Sequence, residues 1–318
     1  MGKVNAHGIH DDAARWIRNW LAGRRHLVCI NKSYSNWTPV ISGVPQGSVL
    51  GPQLFNIYIN NLDTNIVRRI SKFVDDTKLC HSDRNPDDIT ELQEYINKLI
   101  EWVNQGQMNY NVDKRTVMHI GHNNMQGNYN MSNQQLPTTD QQRDLRIIIT
   151  KDLKRQKQTE KSCKMANRVL GLIARNFRYR NKELILQLYK FIVRPHHEHA
   201  VQFWSPNLKR NINKIEKMQR RATKMIPEIR NHSYHQVIRV LNNLISLVQK
   251  RLQGELIEVL KYPNEFTTSS VRMLFDYDLN DRTRNNGAKL IIKHISTSVT
   301  QHFYPIKITT TWNTLPNE

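Results

Sequence analysis

Cysteine is scarce in this chain: Cys29, Cys80 and Cys163 are all there are among 318 residues. An odd number at wide spacing argues against a disulfide scaffold and against a zinc site, and the default compartment is a reducing one. Long apolar runs are missing too. No stretch of about 18 apolar residues occurs, which excludes a membrane span. Met1-Gly2-Lys3-Val4-Asn5-Ala6 has no apolar core of the signal-peptide kind. The expected location is therefore nucleus or cytoplasm, not secreted. Hydrophobic residues make up 38% of the chain, below the roughly 45–50% of globular chains, a reference that also counts Gly. That is still enough for a core, so full disorder is not expected.

Acidic residues are the other shortage. There are 27 of them against 47 basic ones, a formal charge of +20. The imbalance is local. Residues 1–150 hold 16 basic and 14 acidic side chains, whereas residues 151–318 hold 31 and 13. Residues 151–230 alone hold 21 and 6. Such a concentration repels itself without a polyanion and is the electrostatic footprint of a nucleic-acid binder. A solvated helical surface or a basic address signal is the alternative, and the charge favours nucleic acid over it.

Apolar spacing predicts a short amphipathic helix over 11–22, ended by Gly23. Strands are expected at 26–31 and 37–41, with a turn over Lys32–Asn36. Gly43-Val44-Pro45-Gln46-Gly47-Ser48 can be neither strand nor helix interior. Helical spacing returns over 50–62. A hairpin is expected over 66–79, turning at Asp75-Asp76. The clearest helix of the first half is 87–103, with Ile89, Leu92, Ile96, Leu99, Ile100 and Val103 on one face. Short strands are expected at 116–121, 128–131 and 145–149, and a polar loop over 122–143. From 157 onward helices are expected at 158–176, 181–194, 211–226, 233–242 and 244–261. Two rows lie within the second of these: Leu184, Leu188, Ile192 and Ile185, Tyr189, Val193. No internal repeat is present. An α/β part followed by a mostly α part makes two layers of organisation.

Asp75-Asp76 is the sharpest chemical feature. Two adjacent carboxylates at a hairpin turn repel each other, and a divalent cation such as Mg²⁺, which prefers hard oxygen ligands, relieves that repulsion. Alone, the pair reads better as an ordinary turn, since Asp is a preferred turn residue. The 43–48 loop alters the balance. Its glycines let backbone approach a ligand closely, and Gln46 offers both donor and acceptor. The helix that starts just after Gly51-Pro52 has an N-terminus that attracts phosphate.

Gly43-Val44-Pro45-Gln46-Gly47-Ser48-Val49-Leu50-Gly51-Pro52, Leu54-Phe55, Tyr58-Ile59-Asn60 and Phe73-Val74-Asp75-Asp76-Thr77-Lys78 together resemble reverse transcriptases of LINE-class non-LTR retrotransposons. The likeness is greatest to jockey-like and chicken-repeat-like elements. It continues through Asn111-Val112-Asp113-Lys114, Met118-His119-Ile120-Gly121, Lys164–Leu172, Arg194-Pro195-His196, Trp204-Ser205-Pro206, Gln219–Pro227, Arg282–Gly287 and Thr311-Trp312-Asn313, in order along the chain.

The resemblance implies an α/β (α+β) partial polymerase palm over 1–150. A basic, mostly α-helical thumb-like region follows over 151–265, and a C-terminal tail over 266–318. It implies RNA-directed DNA synthesis by two-metal nucleotidyl transfer, with an RNA template, a DNA primer, deoxynucleotides and Mg²⁺. Asp75 and Asp76 match the metal-binding pair, Asp75 being the more direct ligand. Pro45, Gln46, Gly47 and Ser48 match the loop that contacts template and incoming nucleotide. Lys114 matches a lysine near the pyrophosphate, and Ile120-Gly121 a motif near the primer terminus. Lys161, Lys164, Arg168, Lys214, Lys217, Arg220, Arg221 and Lys224 form basic stripes suited to gripping phosphates.

The family's third carboxylate lies on a strand upstream of the helix containing His7-Gly8-Ile9, earlier than this sequence begins. Asp11 and Asp12 read better as helix capping. The fingers are expected to be missing as well, so the chain alone is expected to be a weak or inactive polymerase. Some residues depart from the family pattern: Val74 for a usual Ala, Gly106 for a large residue, Arg146 for a Gly, and His197 and His199 for apolar or aromatic residues. They point to a decaying copy or an incomplete gene model. Two other readings stand beside the polymerase: a catalytically dead nucleic-acid-binding remnant, and a helical interaction module. His196-His197-Glu198-His199 lacks the spacing of His-Glu-x-x-His and is not expected to bind metal.

Overall fold

In the computed structural model the described residues are 1–64, 66, 69–74, 76–106, 108, 111, 114–121, 123–241, 244–261, 274–276, 278, 289–293 and 298–315. Asp75, Val112, Asp113, the Arg282–Gly287 block and about half of 266–318 lie outside them. The architecture is α+β. Helices are joined by small antiparallel sheets, each of two strands among the described residues. The chain divides into two compact units, Met1–Thr138 and Thr139–Glu318.

The first unit opens with α1 (Gly2–Ala6) and α2 (Asp11–Leu21). A long hairpin follows, made of β1 (Arg25–His26), β2 (Cys29–Ile30), β3 (Ser33–Tyr34) and β4 (Thr38–Pro39). β1 pairs with β4, and β2 with β3. Its turn is Asn31-Lys32, both at positive φ, as a two-residue type I′ turn requires. The expected turn over Lys32–Asn36 is thus moved toward the N-terminus, because Asn tolerates the left-handed conformation.

α3 (Leu50–Ile59) leads into a 3₁₀ turn (Asn60–Asp63). Val4, Ile17 and Leu54 form the small core beneath α1, α2 and α3. β5 (Arg69–Phe73) and β6 (Asp76–Cys80) pair from Arg69↔Cys80 to Phe73↔Asp76, so Asp76 begins the second strand and is not inside the turn. α4 (Pro86–Gln105) is held at its start by Asn85, by Pro in the first turn, and by Asp88, whose carboxylate accepts the Arg84 and Asn85 amides. Tyr95 and Leu99 of α4 pack with Leu62 and Ile66, while Ile96 packs with Tyr129 and Met131. β7 (Asn130–Met131) and β8 (Gln134–Gln135) put a small hairpin in the expected polar loop. The expected strand at 116–121 is reduced to one bridge, Val117 to Thr138.

The second unit begins with the hairpin of β9 (Gln141–Asp144) and β10 (Ile147–Thr150), turning at Leu145-Arg146. α5 (Gln156–Asn176) and α6 (Lys182–Leu188) follow; Asn181 caps α6 by accepting the Leu184 amide. A π turn over Tyr189–Val193 continues α6 into α7 (Pro195–Glu198) and α8 (Val201–Trp204). Next come α9 (Lys209–Thr223), α10 (Tyr234–Val240) and α11 (Leu247–Lys261), then α12 (Ser298–Gln301) and α13 (Tyr304–Trp312). Leu170, Ile185, Tyr189, Val193, Ala222, Ile226 and Leu241 form its main core. Of the two expected rows, Ile185, Tyr189 and Val193 are buried in that core, while from the other row Leu188 packs against it. Within the π turn Val193 is buried and Ile192 is exposed.

Candidate functional site

Arg24 fixes the 43–48 loop. Its guanidinium donates to Leu21 O, to Ser42 O and to Gly43 O, tying the end of α2 to the start of the loop. Gly43 and Gly47 both have positive φ, +76° and +82°, a region that favours glycine. Pro45 is half-buried, and Gln46 and Gly47 are exposed. Ser48 Oγ donates to Pro45 O at 2.7 Å and accepts the Gly51 amide at 3.0 Å. Ser48 therefore closes the loop onto α3, with its hydroxyl spent internally. A methyl group at Gly51 would stand 2.7 Å from Ser48 Oγ and 3.0 Å from Pro45 O. The Gly at 51 is what lets loop and helix meet.

The carboxylate hairpin is anchored at the other end of α3. Lys72 Nζ, on β5, reaches Asp63 Oδ1 at 2.8 Å and Asn60 O at 3.1 Å. The Lys72 hydrogen bond also holds the Asp63 carboxyl below its usual range. Asp76 is exposed at the hairpin end. Its partner Asp75 lies outside the described residues. Val74, at φ +55°, starts the two-residue connection, a conformation costly for a β-branched residue. α3 spans about 15 Å at 1.5 Å per residue, so loop and hairpin sit at its two ends. Lys114 is exposed beyond α4, its amide on Asn111 O.

In the second unit α5 and α9 lie side by side and run parallel. Lys214 Nζ pairs with Glu160 at 3.1 Å, and one α-turn pair further on Arg221 donates to Asn167. Lys164, Arg168, Lys217, Arg221 and Lys224 are exposed along this helix pair, where i, i+3 and i+4 spacing keeps them on one face. Arg220 is exposed but lies over the Tyr234 ring at 4.6 Å. Lys161 and Lys214 do not project freely. Lys161 donates to Arg146 O at 2.7 Å, and burial lowers its pKa; Lys214 is committed to Glu160.

The His196–His199 run is dispersed among separate partners. His197 is wholly buried, its Nδ1 2.7 Å from Ser162 Oγ, and burial pushes its pKa down to about 3. Glu198 pairs with Arg194, and the His199 carbonyl accepts the Trp204 indole.

Sequence reasoning missed one cluster. Ligating atoms of His81, Asp88 and Glu91 lie within 4.8 Å of one another. Their bonds are already used at the start of α4: Asp88 takes two backbone amides, and Glu91 takes His81 Nε2 and the Tyr95 hydroxyl. The Asn85-Pro86-Asp87-Asp88 start signal was the readable trace of this network.

A family model described as Reverse transcriptase (RNA-dependent DNA polymerase) matches residues 1–164. The chain belongs to the reverse transcriptase family. Within it, the similar curated proteins are of the jockey-like LINE kind, all from Drosophila melanogaster. The probable RNA-directed DNA polymerase from transposon X-element is 23% identical over 241 residues, 70% of this chain and 26% of that protein. The RNA-directed DNA polymerase from mobile element jockey is 27% identical over 107 residues, 31% of this chain and 12% of that protein. The probable RNA-directed DNA polymerase from transposon BS is 29% identical over 107 residues, with the same coverage of 31% and 12%. The chain thus spans about a quarter or less of the length of these relatives. No solved structure matches. Reverse transcriptases normally use divalent metal ions. No helix among the described residues is long and apolar enough to cross a membrane.

Proposed function

We infer that the chain acts in RNA-directed DNA synthesis, copying an RNA template from a DNA primer with deoxynucleotides. Residues 1–150 serve as polymerase palm, 151–265 as a basic thumb-like region, and 266–318 as the tail. The observation that carries this reading is the family match over residues 1–164, which contains both the 43–48 loop and the 69–80 hairpin. A helical interaction module leaves that match unexplained, and the relatives named as RNA-directed DNA polymerases do not favour the dead binding remnant.

The donor set fits Mg²⁺. Asp76 offers hard oxygens at an exposed hairpin end, and Mg²⁺ keeps part of its water shell. Asp76, with Asp75, would hold the ion, which when bound activates the primer 3′-hydroxyl and steadies the leaving pyrophosphate. The chain's own residues do the rest. Gln46, exposed on a loop locked by Ser48 and Arg24, presents donor and acceptor to template or nucleotide. Pro45 and Gly47 shape that loop. Lys114 supplies an exposed cation for the phosphates. The α5–α9 face, through Lys164, Arg168, Lys217, Arg221 and Lys224, grips phosphates of the template–primer without reading sequence.

The test is equilibrium binding of an RNA–DNA hybrid with a recessed primer end. The next complementary deoxynucleotide should tighten binding about tenfold, a typical coupling, in Mg²⁺ but not in EDTA. Asp76→Asn should abolish the tightening. A tightening that survives Asp76→Asn, or none in the wild-type chain, would refute the assignment.

A further inference from the structure

The β1–β4 hairpin is unusually bare. Every residue from 28 to 39 is exposed. Tyr34 is 70% exposed, Trp37 57%, Ile30 67% and Val28 54%. A two-stranded hairpin with no covered face is marginal in water, so a surface of this kind calls for an occupant. The charge around it says which. Between Asp12 and Asp63 there is no Asp or Glu at all, while Arg15, Arg18, Arg24, Arg25 and Lys32 fall in that interval. Arg24 is spent on the loop, but Arg25, His26 and Lys32 are exposed on the hairpin itself. Cations beside open aromatic rings, with no acidic residue nearby in sequence, suit a polyanion whose flat groups are free to stack. In a duplex the bases are already stacked on each other; in a single strand they are not.

We propose that the 25–39 hairpin is a stacking platform for single-stranded RNA, with Tyr34 and Trp37 under unpaired bases and Arg25 and Lys32 on the flanking phosphates. The proposal rests on the polymerase reading for its choice of RNA, and it assigns the unpaired part of the template to this surface. The base of the hairpin is continuous with the 43–48 loop. The Val40 amide donates to Arg24 O, and the Arg24 side chain holds Gly43 O. A strand lying along the hairpin therefore runs toward the loop assigned to template and nucleotide.

The whole 318-residue chain is titrated with a labelled single-stranded RNA of about 16 nucleotides, near the upper site size of one such platform. The same RNA annealed to complementary DNA is the second probe. Tyr34→Ala and Trp37→Ala should each lower single-strand affinity about tenfold, as loss of one stacked base does. Tyr34→Phe should keep it, and the hybrid should lose much less. Equal losses on both probes, or none on either, would overturn the proposal. If the wild-type chain binds neither probe, the polymerase reading itself fails; if it binds with steep salt dependence but the rings do not matter, only this proposal fails. Should an alanine variant not fold, Trp37→Phe replaces it. Single-stranded RNA must then quench indole emission in the wild type and clearly less in Trp37→Phe, and the absence of that difference also overturns the proposal.

Discussion

Replacing Gly51 by alanine should destabilise the first unit, although alanine is the better helix former. The gain in helix propensity is at most about 1 kcal/mol. Against it stands the methyl group, 2.7 Å from Ser48 Oγ and 3.0 Å from Pro45 O. Ser48 can rotate away only by giving up its bonds to Pro45 O and the Gly51 amide, a loss of about 1 kcal/mol each. Pro45 O is backbone and cannot rotate, so the loop must shift, at about 1 kcal/mol or more. The balance is a net loss of about 2 kcal/mol. Urea unfolding followed by circular dichroism measures it, and amide exchange at residue 51 reports the broken bond directly. In a Ser48→Ala background the oxygen and both its bonds are already gone, so the same substitution should cost about 2 kcal/mol less. A stabilised Gly51→Ala variant, or an equal cost in both backgrounds, would refute the close-approach argument.

Other consequences are as direct. His197 is buried neutral with its pKa lowered to about 3, against about 6.5 unfolded. Below pH 6.5 the unfolded chain takes up a proton that the folded chain refuses. Its contribution is thus complete above pH 6.5 and declines as pH falls toward 3, by about 2 kcal/mol between pH 6.5 and 5; a flat urea midpoint over that range would contradict it. Gln219 accepts from the Tyr189 hydroxyl and donates to Tyr234 Oη and Ile245 O. Gln219→Leu should cost about 3 kcal/mol through stranded polar groups, with part recovered by adding Tyr189→Phe; a neutral Gln219→Leu would show the network to be dispensable. Arg146 sits at φ +69° in the β9–β10 turn. Relief of about 1–2 kcal/mol of left-handed strain, less about 0.5–1 kcal/mol of glycine entropy, should let Arg146→Gly raise the melting temperature; a fall would mean that the arginine contributes contacts of its own.

That last position explains one departure from the family pattern. The left-handed turn gives a physical reason for the glycine that the resemblance leads one to expect there, and that reason is visible only once φ is known. Gly106 is a related case. Tyr58 Oη donates to Gly106 O, and a Cβ at 106 would collide with that hydroxyl, so a larger residue there would have to displace the Tyr58 ring. α4 was legible from the sequence because its start signal and its 3.6-residue stripe agree. The long helices of the basic half were legible from their apolar stripes alone. What was not legible depends on distant partners. The burial of His197 and Arg251 needs the Ser162 hydroxyl and the face of Trp204, over which Arg251 lies at 4.3 Å. Nothing in the local pattern distinguishes Lys161 and Lys214, which are tied down, from Lys164 and Lys217, which are exposed. Likewise the π turn at Tyr189–Val193 leaves no mark in a pattern that supports two i+4 rows equally.

The central claim is that the exposed cations of α5 and α9 hold a template–primer by its phosphates. The most direct test is the dissociation constant of an RNA–DNA hybrid measured as a function of salt. Log affinity should fall steeply and linearly with log salt. Replacing Lys217, Arg221 and Lys224 together by alanine should reduce the slope by about 2–3, close to one per lost phosphate contact, with little change in sequence preference. A wild-type affinity indifferent to salt, or an unchanged slope in the triple variant, would contradict the account.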